Sequence, residues 1–389
     1  MHQDLHHRYE VLDGMRGIAA ICVMIGHASL YSHQYLIPNS FIAVDLFFIL
    51  SGFVLAYAYG GRREMGLGAL MLRRFIRLYP MFLAGLVMGA VVLLFAVSHG
   101  VSNLPPKAAM AGTFLNLFYV PFLNQGQYFY AAGQSMWGEI FPANPPYWSL
   151  FFEIAVNLFF LNLAGLSRKW LAILSGLFLA AIFVNGYFDG IMNGHGGVNV
   201  EAGWTSLELM GGFPRVFYGF TLGILIFKVA KQPRFATLAL SARRIPGSVY
   251  MLLAATAALL VVPHLPHLST IYYLFAVGLV APMLVFLGSA LHCQNQTASR
   301  VVRFLGWISY PIYCVHYPII RAIHLLQVNG VLPPVSLVVA GSLASLLVAT
   351  ILTLVYDEPV RRWLSRRLRK DVLDQDAMTR VMAAPTLAE

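Results

Sequence analysis

The chain contains ten apolar stretches of about the length that crosses a lipid bilayer as a helix. An α-helix rises 1.5 Å per residue, so about 20 apolar residues span the hydrocarbon core. This pattern predicts an all-α, polytopic integral membrane bundle of about ten transmembrane helices. The predicted spans cover residues 14–34, 40–59, 78–98, 146–166, 170–188, 207–228, 248–263, 269–290, 305–326 and 334–355.

The composition supports the same class. Hydrophobic residues make up 59% of the 389 residues and charged residues 11%, whereas soluble domains carry about 25% charged residues. A further apolar stretch at 110–123 is short and interrupted by Asn116 and Pro121. We predict that it lies at the membrane interface or dips into it without crossing. The N-terminus is polar and lacks a cleavage site of the signal-peptide type, so no signal peptide is expected.

The basic residues that give the net charge of +10 are distributed according to the predicted spans. Lys and Arg fall on one side of the membrane, except Lys107 on the other side and Arg215 and Arg321 inside spans. The positive-inside rule therefore predicts cytoplasmic termini and a multi-pass protein of the cell inner (plasma) membrane. Attraction to anionic membrane lipids accounts for the rest of the basic balance, and nucleic acid is not needed as a partner.

The predicted domain organisation is simple. Residues 1–365 form one transmembrane domain, and residues 366–389 form a polar cytoplasmic tail. The longest segment outside the spans, about 99–145, lies on the outer side and is rich in Asn, Gln and aromatic residues. That composition suits a cap that faces a sugar, because rings stack on sugar faces and amides bond hydroxyls. It suits equally an interfacial loop that only packs.

Arg16 and His27 lie eleven residues apart on the first predicted span. Eleven residues rise about 16 Å and return to nearly the same helix face. An arginine near one membrane surface is thus aligned with an imidazole near the midplane. Ionisable groups at that depth are costly, which makes them functional candidates. The alternative is a snorkelling arginine and a histidine that is bonded to a neighbouring helix.

Other polar residues fall within or at the edges of spans. Arg73 and Arg77 are four residues apart, share a helix face and can grip a phosphate, although arginines at inner helix ends also serve topology. Glu153 is predicted about two turns below the outer surface. Arg215 lies in mid-span and must pair with an acid or an anionic ligand. Tyr313 and His316 are neighbours on the ninth span.

Six short motifs occur in a fixed order along this helical plan, and together they resemble the acyltransferase-3 family of integral membrane acyltransferases. The motifs are Arg16 with ten residues before His27, the run Phe47–Phe53, the run Arg74–Pro80, Trp148-Ser149-Leu150 with Glu153, Ser309-Tyr310 with Tyr313 and His316, and Glu358-Pro359 with Arg361. The resemblance covers nearly the whole predicted membrane domain.

The resemblance implies transfer of an acyl group, usually acetyl, from cytoplasmic acyl-CoA. The acceptor is usually a hydroxyl of an extracytoplasmic or lipid-linked glycan, or sometimes a small molecule. Acyl-CoA is then the co-substrate, no metal is expected, and the partners are membrane lipids, the glycan and other glycan-assembly proteins. Such chemistry needs a base for the hydroxyl proton, positive charge for the donor phosphates and donors for the oxyanion.

These requirements assign the candidate residues. His27 is the predicted base or acyl carrier, a choice that the sequence leaves open. Glu153 and Asp45 are its predicted catalytic partners, which orient His27, hold an acceptor hydroxyl or pair with Arg215. The residues expected to bind the donor are Arg16, Arg73, Arg74, Arg77 and Tyr79. The residues expected to bind substrate or to be structural are Trp148, Ser149, Arg215, Tyr313, His316 and Glu358.

Two other interpretations compete with the enzyme. A membrane transporter or flippase of a glycan or lipid precursor would also carry mid-span charges and a basic inner face. A non-catalytic subunit of a glycan-assembly complex is the third class, but it has no need of a mid-span histidine. The three cysteines lack C-x-x-C spacing, so neither a disulfide framework nor a zinc site is predicted.

Overall fold

The computed structural model describes residues 9–59, 66–124, 127–130, 134–192, 197–233, 235, 245–263, 268–333 and 336–368, with only the backbone at 127–130 and 134–137. Its helices are α1 (Glu10–Tyr31), α2 (Ile42–Tyr59), α3 (Leu67–Ser98), α4 (Pro106–Leu117), α5 (Trp148–Asn157), α6 (Phe160–Gly165), α7 (Arg168–Met192), α8 (Leu209–Ala230), α9 (Ser248–Val261), α10 (Ser269–Ala290), α11 (Gln296–Val328) and α12 (Leu337–Leu368). The strands β1 (Gln127–Tyr130) and β2 (Gln134–Trp137) form an antiparallel hairpin.

The helical, polytopic membrane fold is confirmed. Seven of the described helices are long and apolar enough to cross a bilayer, namely α1, α2, α3, α7, α8, α10 and α12. The predicted fourth span is divided between α5 and α6, and α9 has 14 residues. Large apolar side chains such as Trp170, Leu177, Leu343 and Val355 point outward from α7 and α12, as expected for lipid contact.

α1 and α11 pack side by side in the same direction. Gly17 lies against the backbone of Leu305 so closely that a Cβ atom would collide with it, and further along both helices His27 contacts His316. The two helices come from opposite ends of the chain, yet they approach closely because glycine leaves room for the neighbouring backbone. This pair forms one wall of the candidate site.

α2 and α8 form a second parallel pair. Gly52 packs on the backbone of Phe220, and Asp45 contacts Arg215 near the first turns of both helices. α7 lies against α8 and contributes the hydrogen bond between Ser175 and Thr221. Because both pairs are joined by close backbone contacts, they hold the side chains between them in fixed positions.

The bundle has two distinguishable ends. We call the end that holds the first turns of α1 and α3, with Arg16 and Arg77, the arginine end. The opposite end, which holds the end of α3 and the start of α4, is the loop end. The last turns of α12 also lie at the arginine end, since Glu358 there accepts a hydrogen bond from Trp307 of α11. Both ends of the described chain therefore share one end of the bundle.

Residues 138–147 enter the bundle from the loop end, and every residue from 138 to 150 is buried. The Asn144 amide donates to the Cys314 carbonyl at 2.8 Å, and the Tyr147 hydroxyl donates to the Phe82 carbonyl at 2.9 Å. α5 therefore begins deep between α3 and α11. This corrects the predicted depth of Glu153, which lies in the arginine half of the bundle and not two turns below the opposite surface.

α4 descends along α3 from the loop end. Its last residue, Leu117, accepts a hydrogen bond from the Tyr79 hydroxyl at 3.2 Å, and the following chain returns to the loop end, where the Asn124 backbone bonds Ser206. The stretch predicted at 110–123 thus dips into the bundle and returns. Residues 369–389, which hold most of the predicted tail, lie outside the described residues.

Candidate active site

A pair of histidines lies between α1 and α11. Nδ1 of His27 is 2.9 Å from Nε2 of His316, and the two rings are 17° from parallel. Nδ1 of His316 is 2.9 Å from the Ile312 carbonyl one turn earlier in α11. His316 is fully buried, whereas His27 is partly accessible. The accessible ring of the pair therefore belongs to His27.

These contacts determine where the protons lie in the neutral pair. A carbonyl oxygen only accepts, so Nδ1 of His316 carries the proton that it donates to Ile312. Neutral imidazole has one ring proton, and Nε2 of His316 must then accept from Nδ1–H of His27. Nε2 of His27 is left with a free lone pair. His316 thus fixes the tautomer of His27, as a second hydrogen-bonding group commonly does for histidine.

Arg16 lies toward the arginine end on the same wall. Its guanidinium forms an ion pair with Asp13 one turn earlier, and its Nε donates to the Ser309 hydroxyl at 3.3 Å. The Ser309 hydroxyl donates in turn to the Gly306 carbonyl at 2.8 Å. Ser309 therefore anchors Arg16 to α11, and the side chain of Arg16 stays partly accessible.

Arg74 and Glu153 form a second ion pair, between α3 and α5. The Ser51 hydroxyl of α2 donates to the same carboxylate oxygen of Glu153 at 2.9 Å. Arg74 is nearly buried. The pair thus joins three helices at the arginine end, and Glu153 contacts Arg74 where the sequence predicted a partner of His27.

Arg77 is exposed, although its charge interacts with those of Arg16, Arg74 and Asp13 on two helices. Arg73 is exposed as well, and neither arginine has a hydrogen-bond partner among the described residues. Arg77 is thus an accessible cation next to two that are already paired. The predicted role of Arg73 and Arg77 in binding an anion stays a prediction.

Tyr79 serves the packing of α3 against α4. Its ring stacks on Phe75 at a centroid distance of 4.3 Å, and its hydroxyl is bonded to Leu117. The first contact lies within α3, the second reaches α4, and neither involves an arginine. The predicted donor-binding role of Tyr79 therefore has no supporting contact in the described part of the chain.

Asp45 and Arg215 form a fully buried, bidentate ion pair. Nε of Arg215 is 3.1 Å from Oδ1 of Asp45, and Nη2 is 2.9 Å from Oδ2. Nη1 donates to the carbonyls of Glu201 and Ala202, and the ring centroid of Trp148 is 5.2 Å from the guanidinium carbon. Of the three predicted alternatives for Asp45, the geometry matches pairing with Arg215.

Ser149 and Tyr313 connect α5 to α11 on the arginine side of the histidine pair. The Tyr313 hydroxyl donates to the Pro146 carbonyl at 2.7 Å, and the Ser149 hydroxyl is 2.5 Å from the Tyr313 hydroxyl. Glu358 lies apart from this group: it accepts from Trp307 at 2.8 Å and pairs with Arg362. Both arrangements hold helices together, and only the first adjoins His316.

The sequence interpretation missed a group of buried polar residues on the loop-end side of His27. We call it the loop-end cluster; it consists of Tyr31, Glu139, Tyr317, Arg321 and His324. The Tyr31 hydroxyl donates to the Tyr317 hydroxyl at 3.2 Å, and the Tyr317 ring meets the His27 ring edge-on at 5.2 Å. The cluster thus begins in contact with His27.

Arg321 and Glu139 supply the charges of the loop-end cluster. Arg321 donates to the Pro142 carbonyl at 3.0 Å, and its charge favours the ionised form of Glu139. Burial outweighs this effect and raises the pKa of Glu139, which follows β2 outside the spans, to about 7. The spacing of Tyr317, Arg321 and His324 on one helix face was the available sequence signal.

Comparisons with known proteins identify the family of this chain. The family model described as "Acyltransferase domain", the acyltransferase-3 family, matches residues 9–354. "Acyltransferase MdmB" of Streptomyces mycarofaciens is 27% identical over 92% of this chain and 93% of its own length. "Protein 2 in picA locus" of Rhizobium radiobacter is 35% identical over 40% of this chain and 83% of its own length. No solved structure was found to match.

The matched segment includes both histidines, Arg16, Arg74, Arg77 and the loop-end cluster. It leaves residues 1–8 and 355–389 unmatched. The family match covers most of the chain, and a relative of nearly equal length is an acyltransferase by name. The chain belongs to the acyltransferase-3 family and is a membrane acyltransferase.

Proposed function

We propose that this acyltransferase moves an acyl group, acetyl in the first instance, from acyl-CoA to a hydroxyl of an extracytoplasmic or lipid-linked glycan. The observation that carries the proposal is the free Nε2 of His27. This nitrogen lies between the arginines at one end of the bundle and the loop-end cluster at the other. A base at that position can serve two substrates that arrive from opposite sides.

The donor approaches from the arginine end, which we place on the cytoplasmic side of the cell inner membrane. Arg77 and Arg73 are accessible and without a partner among the described residues, so they bind the phosphates of CoA first. Arg16, held by Ser309, joins them when a phosphate replaces Asp13 as its partner. The pantetheine arm then extends the roughly 16 Å that separate Arg16 from His27 along α1.

The acceptor approaches from the loop end. The tyrosines of the loop-end cluster offer aromatic faces to a sugar ring, and Arg321 and Glu139 offer a donor and an acceptor to its hydroxyls. Asp45 lies outside this route and holds Arg215, so we assign it a structural role. Membrane lipids and proteins that deliver the glycan are the expected partners.

The transfer itself balances at His27. Nε2 removes the proton of the acceptor hydroxyl as its oxygen attacks the thioester carbonyl carbon, and the carbon–sulfur bond breaks as the ester forms. The proton then passes from Nε2 to the CoA thiolate. During the step Nδ1–H of His27 stays bonded to Nε2 of His316, which keeps the ring in place. His316 is therefore a positioning residue.

The experiment is donor turnover by purified protein in nanodiscs. Radiolabelled acetyl-CoA is supplied with lipid-linked glycans from bacterial membranes, and both CoA release and label transfer are followed. We expect activity in the wild type, a rate about 10²–10⁴-fold lower in His27→Ala and normal activity in the control His99→Ala, an exposed histidine at the end of α3. Wild-type protein that neither binds nor consumes acetyl-CoA would refute the proposal.

The kinetic pattern distinguishes direct transfer from an acyl-His27 intermediate. Initial rates measured against both substrates should give intersecting double-reciprocal lines for direct transfer. Parallel lines, together with label retained on the protein when acceptor is left out, would instead assign Nε2 of His27 as the nucleophile.

A further inference from the structure

Tyr119 combines two unfavourable features at one residue. Its backbone has a φ of +57°, in the left-handed region that bulky side chains rarely adopt. Its hydroxyl is buried and has no hydrogen-bond partner among the described residues. A buried polar group without a partner loses its water and gains nothing in return. Neither feature benefits the protein unless the hydroxyl has another use.

The surrounding chain holds Tyr119 in this conformation. The Tyr119 N–H donates to the Asn116 carbonyl at 3.0 Å. The buried Asn116 amide donates to the carbonyls of Val120 and Ile140, both at 3.0 Å. The Tyr119 ring stacks on Phe82 of α3 at a centroid distance of 4.0 Å. These contacts fix the position of the ring and therefore of its hydroxyl.

The neighbouring tyrosines show what a purely structural hydroxyl looks like here. The hydroxyls of Tyr79, Tyr147 and Tyr310 each donate to a backbone carbonyl, at 3.2, 2.9 and 2.6 Å. Tyr119 shares with Tyr79 and Tyr147 the aromatic group around Phe82, but its hydroxyl has no such partner among the described residues. The difference lies in the hydroxyl and not in the kind of packing.

The position of Tyr119 relates it to the active site. Its ring contacts Phe82, which lies five residues beyond Arg77 on α3. Three residues further along α3, Gly85 packs on the backbone of Cys314. Cys314 precedes His316 by two residues on α11. The hydroxyl thus lies at a depth that a donor must pass between the arginines and His27. A pantetheine arm carries two amide groups and a thioester, whose carbonyl oxygens need hydrogen-bond donors in a dry interior.

We propose that the Tyr119 hydroxyl donates a hydrogen bond to a carbonyl oxygen of the pantetheine arm of the acyl donor. The proposal rests on acyl-CoA being the donor, as stated under the proposed function. α4 and the chain after it thereby become part of the donor site, with the strain at Tyr119 serving to hold the hydroxyl in advance of binding. Tyr119 positions the donor and takes no part in proton transfer.

The test is Tyr119→Phe, which removes the hydroxyl and keeps the ring. We expect a melting temperature equal to that of the wild type or higher, because no bond within the protein is lost. The KM for acetyl-CoA should rise about tenfold, the worth of one hydrogen bond of about 1.4 kcal/mol, while the KM for the acceptor stays unchanged.

Tyr218→Phe is the matched control. The Tyr218 hydroxyl on α8 is buried and donates to the Val277 carbonyl at 2.9 Å, so its removal should lower the melting temperature and leave both KM values unchanged. An unchanged KM for acetyl-CoA in Tyr119→Phe, or a fall in its melting temperature like that of Tyr218→Phe, would overturn the proposal. Wild-type protein that does not use acetyl-CoA would instead refute the proposed function, which keeps the two failures distinct.

Discussion

His316 holds His27 by a hydrogen bond of 2.9 Å while its own Nδ1 is bonded to the Ile312 carbonyl. The two histidines therefore have unequal roles, because only His27 has a free ring nitrogen and an accessible surface. Replacing His27 removes the base, whereas replacing His316 removes the group that fixes its tautomer. The two variants should be separable by kinetics.

We expect His27→Ala to lower the rate of transfer by about 10²–10⁴-fold, the usual contribution of a positioned base. His316→Gln keeps a side chain that can accept from Nδ1–H of His27, so it should retain more activity than His316→Ala. Initial rates at saturating acetyl-CoA provide the measurement. Equal rates for the two His316 variants would show that orientation of His27 does not depend on this hydrogen bond.

Asp45→Asn should destabilise the protein more than it affects the chemistry. The substitution leaves the buried guanidinium of Arg215 without its counter-charge, which costs about 3–5 kcal/mol when a buried pair is broken. The double variant Asp45→Asn/Arg215→Met should recover part of the loss because it removes the unpaired charge. Melting temperatures in detergent test both. A stable Asp45→Asn variant that has lost transfer would return Asp45 to the catalytic group.

The sequence was informative where a property resides within one helix. The apolar lengths predicted the helical membrane fold, and the alignment of Arg16 with His27 on α1 follows from helix geometry alone. The interruption at Asn116 and Pro121 predicted that this stretch does not cross. Each of these is a local property, which spacing and composition report directly.

The sequence was uninformative where two distant segments meet. The predicted order of spans makes the first and ninth run in the same direction, but nothing in the sequence indicates that α11 packs on α1 and brings His316 to His27. The depth of Glu153 was wrong because the buried segment 138–147 is short and polar enough to read as a surface loop. The Asn144 amide nitrogen donates to carbonyls of α3 and α11, and such long-range hydrogen bonds have no periodic signal in the sequence.

Arg77→Lys and Arg16→Lys should each weaken donor binding. Lysine keeps the charge but loses the planar fork that bonds a phosphate through two nitrogens. We expect the Kd for CoA to rise roughly tenfold in each variant, by analogy with the loss of one charge-assisted hydrogen bond. Calorimetry on protein in nanodiscs gives the values. Arg303→Lys, an exposed arginine at the same end of the bundle, is the control and should bind CoA normally.

Glu139 should make stability depend on pH in a defined window. Burial raises its pKa in the folded protein from 4.5 to about 7, so between these values the folded state keeps a proton that the unfolded state has lost. Stability then falls as pH rises through this window, by up to about 1.4 kcal/mol per pH unit. The stabilising contribution of protonated Glu139 is complete below the lower pKa, and no further stability is lost above the upper one.

Glu139→Gln isolates this contribution, because glutamine is uncharged throughout. The melting temperature of the wild type should decrease relative to that of Glu139→Gln as the pH is raised from about 4.5 to about 7, and the difference should stay constant above that range. Parallel curves over the whole range would mean that Glu139 titrates alike in the folded and unfolded states.

The direction of transfer depends on which end of the bundle faces the cytoplasm, and two exposed lysines report it. Lys107 lies in the first turn of α4 at the loop end, and Lys169 lies in the first turn of α7, beyond the end of α6. Cys22 and Cys314 are buried, so a Cys293→Ser background leaves a low signal. An impermeant thiol reagent should label Lys107→Cys in intact cells. Lys169→Cys should react only after the cells are permeabilised. The reverse result would place the arginines outside, where no acyl-CoA is available, and the donor would then need another entrance.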